Sequence, residues 1–245
     1  MLISVSELAL NFGCKPKIVW HLGGHNAEEL SDYLRNGTQE IHWFEANPEQ
    51  ALILQGKLSG IPNQHLISKA AWHSDGETLT FNITSKSMSS SLYDLNLHSE
   101  KYPDIVLAKI INVDTITLDS YSIGREVPNF INLDIQGAEL DALRGAGTLL
   151  HRVAYIYTEV SFLELYKNAP LADEIDVYLQ TFGFKRVVTR KVPRDGWADV
   201  LYVNQGLVKL PRHRFVNRLL NNALYVIRSG VYAIRLRFHE IRGHL

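Results

Sequence analysis

Two glycines and an acidic residue stand directly after short apolar runs, where they could take part in ligand binding. Gly23 and Gly24 follow the run at 17–22 (KIVWHL), and Glu45 follows the run at 40–44. Glycines in such a place let the backbone approach a ligand closely, and an acid about 20 residues further on can accept hydrogen bonds from both hydroxyls of a ribose. The spacing G-x-G-x-x-G is absent. A simple tight turn therefore stays open for the glycines, and a capping or solvated role stays open for Glu45.

Two further acids, Asp134 and Glu159, follow the apolar runs at 129–133 and 153–158. Ligands of open α/β sheets bind beyond the carboxyl ends of the strands, so we expect these two acids to face one cleft. There they could hold a divalent cation such as Mg²⁺, orient an ammonium group, or take a proton from a hydroxyl. A helix cap is the alternative for Asp134. Three histidines are further candidate bases, with a surface or turn position as the alternative for each: His25, His73 and His98.

The elements that must position these residues alternate between short apolar runs and amphipathic stretches, which indicates an α/β domain around a largely parallel sheet. Strands are predicted at 17–22, 40–44, 64–68, 77–82, 106–118 (one or two), 129–133, 153–158, 184–189 and 199–203. Helices are predicted at 26–35, from Pro48 onward, at 138–150 and at 172–181, and a polar loop at 85–91. We assign residues 1–205 to this domain and 206–245 to a separate extension.

The composition favours a globular protein of a reducing compartment. Hydrophobic residues make up 46% of the 245 residues, which is enough for a large core. Cys14 is the single cysteine, so an internal disulfide or a cysteine zinc site is excluded. The first twenty residues do not resemble a signal peptide, and no run of about 18 apolar residues could span a bilayer. We therefore expect a cytoplasmic protein.

Charge is distributed unevenly along the chain, although the formal net charge is only −1. From Lys209 to the end there are eight Lys and Arg residues and one acid, which gives this segment +7 and leaves the body at −8. Apolar residues recur at helical spacing on both sides of Ser229 and Gly230, which predicts a basic amphipathic helical extension. Three partners stay open for residues 209–245: an anionic membrane surface at the inner face of the membrane, another protein, or the acidic body itself. Nucleic acid is disfavoured because the body is acidic.

The sequence FINLDIQGAE at 130–139, followed by LRGA at 143–146, resembles the signature K-x-D-x-E-G-x-E-x-x-x-L-x-G-A of the FkbM family of S-adenosylmethionine-dependent methyltransferases. The resemblance covers about residues 17–203. Further matching segments occur in the same order at 44–49 (FEANPE), 70–71 with 75–76, 89–92 (SSSL) and 113–119 (VDTITLD). The chain departs from the family's D-x-G-A-N-x-G motif at His21, Gly24, His25 and Ala27, and from the signature at Asn132 and Gln136.

The resemblance implies a Rossmann-like class I methyltransferase with a mostly parallel seven-stranded sheet and helices on both faces. It implies S-adenosylmethionine as the cofactor, with Gly23 behind the methionine portion, Glu45 on the ribose and residues 69–71 beside the adenine. Asp134 and Glu159 are then the candidate catalytic residues, as a base or as metal ligands. The implied cofactor-binding set is His21, Gly23, Gly24, His25, Glu45, Ala46, Lys69, Ala70, Ala71 and Asp134.

The activity that the resemblance implies is methyl transfer to a hydroxyl of a saccharide or of another hydroxylated small molecule. Residues 85–93 are predicted to form a flexible lip over this acceptor. Five aromatic residues are candidates for stacking on a sugar ring, with a core position as the alternative for each: Trp72, Tyr93, Tyr157, Tyr166 and Trp197. A catalytically silent docking module in a glycan-assembly complex is the rival interpretation, because the glycine motif is altered.

Overall fold

The computed structural model describes residues 1–191 and 195–209. The strands are β1 (Ile18–Leu22), β2 (Glu40–Phe44), β3 (Gln64–Ile67), β4 (Ala70–Ala71), β5 (Thr78–Thr84), β6 (Leu107–Ile116), β7 (Phe130–Leu133), β8 (Tyr155–Ser161), β9 (Phe184–Lys191) and β10 (Trp197–Asn204). The α-helices are α1 (Val5–Phe12), α2 (Leu30–Arg35), α3 (Pro48–Leu58), α4 (Leu97–Lys101), α5 (Leu118–Ser122), α6 (Glu139–Arg144) and α7 (Ala172–Gln180).

Seven of these strands form a central sheet in the order β3-β2-β1-β7-β8-β10-β9. The first five strands of that order pair in parallel, and β10 is antiparallel to both of its neighbours. All residues of β1 and β7 are buried, as expected for central strands that are covered on both faces. The predicted mostly parallel seven-stranded sheet is confirmed.

Helices cover both faces of this sheet, which confirms the α/β prediction. Helices α1, α2 and α3 pack on one face, where Leu8, Tyr33 and Leu54 are fully buried. Helices α5, α6 and α7 pack on the other face through residues such as Leu118 and Leu143. The carboxyl ends of the parallel strands are left open between these two layers.

A second sheet of three strands, in the order β4-β6-β5, stands beside the central one. The β-branched run at 106–118 contributes its long middle strand, β6, which pairs with β5 in antiparallel and with β4 in parallel fashion. Its small core consists of Ala70, Phe81 and Val113. Because β4 follows β3 directly, this sheet is connected to the open end of the central sheet.

Five α-helices differ from the sequence predictions: α1, α4 and α5 were not predicted, and α2 and α6 are shorter than predicted. Helix α1 was not predicted; the Ser4 side chain accepts a hydrogen bond from Glu7 N at its start. Helix α2 begins only at Leu30, because His25 and Ala27 before it have left-handed φ values of 37° and 54°. Helix α6 ends at Arg144, and the next residue, Gly145, lies against the Trp72 carbonyl oxygen, where a Cβ would come within 2.0 Å.

The predicted C-terminal extension lies almost wholly outside the described residues. Its amphipathic helices and the domain boundary at 205/206 therefore stay predictions. Within residues 1–191 and 195–209, no helix has both the length and the apolar character needed to cross a membrane.

Candidate active site

A cavity of about 580 Å³ opens at the carboxyl ends of the central strands. Small-molecule sites typically enclose about 300–1,000 Å³, so this volume fits a cofactor and part of a second ligand. Of the eleven residues predicted for the site, all except Gly24 line the cavity. The lining members are His21, Gly23, His25, Glu45, Ala46, Lys69, Ala70, Ala71, Asp134 and Glu159.

At the two glycines of the turn after β1, the backbone of the turn lies close to the end of β2 and to the end of β7. Gly23 N and Gly24 N each donate a hydrogen bond to the Phe44 carbonyl oxygen at 2.9 Å. Gly23 has a φ of +87°, and a Cβ there would lie 2.0 Å from the Asp134 carbonyl oxygen. Gly23 is thus required where β1 approaches the end of β7. A Cβ on Gly24 would lie 2.6 Å from Leu54 Cδ2, so Gly24 packs against α3 instead of lining the cavity.

Glu45 reaches the cavity from the end of β2, and two backbone amides hold its carboxylate. Oε2 accepts from His25 N and Oε1 accepts from Asn47 N, both at 2.9 Å. Each oxygen keeps a lone pair for a ligand hydroxyl. The cap of α3 is Asn47, which accepts from Glu49 N at 3.0 Å, and Glu45 is only 8% exposed. Neither the capping nor the solvated alternative therefore describes Glu45. Burial raises the pKa of its carboxyl group.

His21 belongs to a buried polar network at the base of the cavity. Its Nδ1 atom lies 3.2 Å from both the Tyr33 hydroxyl oxygen and Asn132 Nδ2, and Asn132 Nδ2 donates to the Tyr33 hydroxyl at 2.9 Å. Burial lowers the pKa of His21 to about 4, so the ring is neutral at neutral pH. His21 therefore contributes a neutral polar surface to the cavity.

His21 and Asn132 are also register partners on β1 and β7. They stand where the FkbM motifs have an acid and a lysine. In this chain the two side chains form a neutral hydrogen-bonded pair, so no unpaired charge is buried at these positions.

Asp134 and Glu159 face the same cavity, as predicted, and a third acid joins them. Asp199 on β10 is the register partner of Glu159 on β8, and it also lines the cavity. Its Oδ2 atom accepts hydrogen bonds from Leu2 N at 2.6 Å and from the Tyr157 hydroxyl. Asp199 was missed by the sequence analysis, although it is the single charged residue of the run 197–204.

Asp134 and Glu159 differ in how strongly the site opposes the ionisation of their carboxyl groups. Although Asp134 is exposed to the cavity and Glu159 is half-buried, partial desolvation inside the cavity raises the pKa of Asp134 and raises that of Glu159 well above the usual range. Repulsion from Asp134, Glu139 and Asp199 adds to the effect on Glu159. Asp134 instead accepts a hydrogen bond from Gln136 Nε2 at 2.7 Å, which favours its ionised form. Glu159 consequently keeps its proton to a higher pH than Asp134 does.

The loop that follows Asp134 is held by the buried Glu139. This carboxylate accepts from Ile135 N at 3.1 Å and from Gly137 N at 2.9 Å, and burial raises its pKa to about 7. Gln136, with a φ of 55°, accepts a hydrogen bond from the Tyr166 hydroxyl at 2.8 Å. Glu139 therefore positions the loop, and Gln136 links Asp134 to an aromatic wall.

Residues 87–90 and Leu92 of the predicted lip, residues 85–93, line one side of the cavity. His25 Nε2 lies 2.8 Å from Ser87 Oγ, and His25 Nδ1 lies 2.7 Å from Glu28 Oε1. At the other end of the lip, Ser91 Oγ donates to the Gln136 carbonyl oxygen at 2.6 Å. The lip is thus connected both to the glycine turn and to the loop after β7.

Some of the remaining predicted histidines and aromatic residues line the cavity, and the others lie outside it. His73 is exposed and hydrogen-bonded to Ser74 outside the cavity, whereas His98 is buried and lines it. The described residues offer no hydrogen-bond partner to His98 Nδ1. Tyr166 and Trp197 line the cavity, as does Tyr102, which was not predicted. Trp72, Tyr93 and Tyr157 are not among its lining residues.

Asp134 and Glu159 do not form part of a ready-made three-ligand metal site. In the part of the chain that the structure describes, three metal-ligating side chains place their atoms within 4.8 Å of one another only at Glu40, His42 and His65. A cation between Asp134 and Glu159 would need ligands from water or substrate, as Mg²⁺ often does. The metal role of these two acids stays a prediction.

Comparison with known proteins gives a match to one family and to one curated protein. The pattern of the methyltransferase FkbM domain matches residues 21–186. Over 123 residues the chain is 32% identical to the 2-O-methyltransferase NoeI of Sinorhizobium fredii, which covers 49% of each protein. The chain therefore matches about half the length of this curated relative.

Solved methyltransferase structures are similar at low sequence identity. The magnesium protoporphyrin IX methyltransferase ChlM of Synechocystis PCC 6803 with bound SAM is 9% identical, with a TM-score of 0.47 over 82% of this chain and 76% of that chain. A ribosomal protein L11 methylase of Lactobacillus delbrueckii subsp. bulgaricus is 12% identical, with a TM-score of 0.45 over 81% and 77%. Because the family pattern matches well over half of the residues, the chain belongs to the FkbM methyltransferase family.

Proposed function

We propose that this chain is an S-adenosylmethionine-dependent O-methyltransferase that acts on a hydroxyl of a saccharide. The observation that carries this proposal is the Glu45 carboxylate, held in the cavity by His25 N and Asn47 N next to the glycine turn. A carboxylate with two free lone pairs matches the paired hydroxyls of a ribose. The FkbM domain and the 2-O-methyltransferase relative support methyl transfer to oxygen.

The other residues of the cavity fit the rest of such a cofactor. Ala70 and Ala71 offer a small apolar surface to a flat base, and Lys69 flanks it. The acids at the far side favour a positively charged group in the cavity. The cofactor, when bound, supplies a methyl group on a positively charged sulfur.

Asp134 is the residue that we assign as the base. Its carboxylate ionises more readily than that of Glu159 and is oriented by Gln136. It can therefore accept the proton of an acceptor hydroxyl. Glu159 keeps its proton to a higher pH than Asp134 does, and its protonated form can donate a hydrogen bond that orients the same acceptor.

The far wall of the cavity supports a sugar as the acceptor. Tyr102, Tyr166 and Trp197 offer rings on which a sugar can stack, and Trp197 Nε1 donates to the Tyr102 hydroxyl at 3.4 Å. His98 Nδ1 is a polar atom available to an acceptor hydroxyl. A few polar groups among aromatic side chains are typical of sites that orient a polar small molecule.

Replacing Glu45 with alanine should weaken binding of S-adenosylhomocysteine about 100-fold, because two hydrogen bonds to a charged group are lost at about 1.5 kcal/mol each. Titration calorimetry of the full chain measures this directly. Glu49→Gln is the matched control, because Glu49 is an exposed acid near the start of α3 that pairs with Lys109 at 2.7 Å. Its affinity should equal that of the wild type. No heat from the wild-type protein would instead support the docking-module interpretation.

A divalent cation between Asp134 and Glu159 is the alternative way to activate the hydroxyl. With Asp134 as the base, exhaustive chelation should leave the rate of methyl transfer unchanged, as measured with labelled cofactor. Activity that disappears on chelation and returns with Mg²⁺ would assign the two acids as metal ligands.

The proposed surroundings of the enzyme rest on the sequence alone. It stays a prediction that the basic extension at 209–245 contacts an anionic membrane or a protein partner. A cytoplasmic location at the inner face of that membrane also stays a prediction.

A further inference from the structure

A cluster of two histidines and a glutamate lies outside the cavity, at the outer edge of the central sheet. Glu40 and His42 belong to β2, and His65 belongs to the edge strand β3. None of the three lines the cavity. His42 precedes Glu45 by three residues, which corresponds to about 10 Å along a strand, so the cluster is separate from the cofactor-binding end.

The side chains of this cluster converge on one point. Glu40 Oε1 lies 2.7 Å from His42 Nε2 and 3.1 Å from His65 Nε2. His42 and His65 are register partners on parallel strands, and their rings stack at 4.5 Å with an angle of 25° between the planes. Strand pairing therefore holds both Nε2 atoms toward the same carboxylate.

These distances are close to those between the ligands of a tetrahedral zinc ion. Zn–N and Zn–O bonds of about 2.0–2.2 Å place neighbouring ligand atoms about 3.3 Å apart. The distance from His42 Nε2 to the carboxylate oxygen would need to widen from 2.7 Å by about 0.6 Å to admit the ion. Two imidazoles and one carboxylate also form a donor set that suits Zn²⁺ and leaves a fourth position for water.

Tyr121 forms a hydrogen bond with the ring nitrogen of His42 that would not bind the metal ion. Its hydroxyl oxygen lies 2.7 Å from His42 Nδ1. A hydroxyl can donate or accept, so it can pair with this nitrogen whether Nε2 carries a proton or a metal ion. An outer hydrogen bond of this kind fixes the ring orientation of metal-bound histidines.

The cluster is anchored on one side and open on the other. The His42 side chain is 4% exposed, that of Glu40 is 32% exposed and that of His65 is 49% exposed. An ion can therefore enter from solvent past His65, while the ligands on β2 are already positioned.

We propose that Glu40, His42 and His65 bind one Zn²⁺ ion, which attaches the edge strand β3 to β2. Strand β3 leads directly into Lys69, Ala70 and Ala71, so the ion would also stabilise the start of the segment that lines the cavity. This proposal does not depend on the proposed methyl transfer, because the three ligands lie outside the cavity.

Titration of the metal-free full chain with Zn²⁺ tests the site. The wild-type protein should bind one equivalent at this cluster, and its melting temperature should rise with Zn²⁺. His65→Gln should weaken this binding more than about 100-fold, since losing a ligand should cost at least as much as losing an outer hydrogen bond. The half-exposed position of His65 makes this variant compatible with folding.

His73→Gln is the matched control, because His73 is an exposed histidine outside the cluster, and it should bind Zn²⁺ as the wild type does. Glu40→Gln should lose binding as His65→Gln does. No bound Zn²⁺ in the wild type, or binding that is unchanged in both cluster variants, would overturn the proposal.

Discussion

Replacing Gly23 with alanine should destabilise the protein by about 4 kcal/mol, a sum of about 3 from overpacking and about 1 from a left-handed φ. The new Cβ would lie 2.0 Å from the Asp134 carbonyl oxygen. Neither backbone can easily retreat, because Gly23 N is bonded to the Phe44 carbonyl oxygen and Asp134 N to the Leu22 carbonyl oxygen. Urea unfolding followed by circular dichroism measures the change.

Gly37→Ala separates the two causes of that loss. Gly37 has a similar φ of +82°, but a Cβ there would meet nothing within 4 Å. This variant should therefore lose only about 1 kcal/mol, from the left-handed φ alone. An equal loss in both variants would show that the close approach of β1 and β7 does not determine the need for glycine at position 23.

The same glycines show what could be read from the sequence and what could not. The sequence predicts a turn at Gly23 and Gly24 whose backbone could approach a ligand closely; the chain does turn there, and the role towards a ligand stays a prediction. Their partners are the end of β7 and Leu54 of α3, and neither is close to the turn in sequence. A single sequence does not show which distant segment of the chain comes close. Only the structure therefore shows that Gly23 packs against the end of β7 and Gly24 packs against α3.

The central strands could be predicted because both of their faces are covered. Strands such as β1 and β7 then become continuous apolar runs, which are visible without any knowledge of their partners. Helix α1 was missed because only a few of its residues, Val5, Leu8 and Phe12, are buried. A helix of only eight residues is stabilised mainly by packing against the rest of the protein and not by the helix propensity of its own residues.

The same reasoning found most of the cavity but missed Asp199. Glu45 and Asp134 directly follow β2 and β7, so the ends of the apolar runs locate them, whereas Glu159 lies within β8, which continues past the predicted end at 158 to Ser161. Strand β10 runs antiparallel to β8, so the residues near its amino end lie at the same edge of the sheet. The direction of β10 is set by its pairing, which cannot be read from its own residues.

Replacing Asp134 with asparagine should lower kcat about 1,000-fold, within the range expected for loss of a general base. Asparagine keeps the size of the side chain and can still bond to Gln136, but it cannot take up a proton. S-adenosylhomocysteine should bind with similar affinity, since Glu45 is unchanged. Single-turnover methyl transfer with labelled cofactor, together with calorimetry, separates the two effects.

Glu159→Gln should instead retain activity near neutral pH, because glutamine imitates the protonated carboxyl. In the wild type, kcat should rise with pH as Asp134 ionises and fall at higher pH as Glu159 loses its proton. Both limbs should lie above ordinary carboxyl values, since partial desolvation inside the cavity raises both pKa values. Asp199 and Glu139 repel the same pair, so the apparent pKa values belong to the whole cluster.

The two substitutions therefore predict different pH profiles. Glu159→Gln should keep the rising limb and lose the falling one, because the group that titrates at higher pH has been removed. Asp134→Asn should leave little activity at any pH, since asparagine cannot accept the proton of the acceptor hydroxyl. An active Asp134→Asn protein together with an inactive Glu159→Gln protein would make Glu159 the base. In that case the hydrogen bond from Gln136 and the repulsion from the neighbouring acids would not determine which carboxylate accepts the proton.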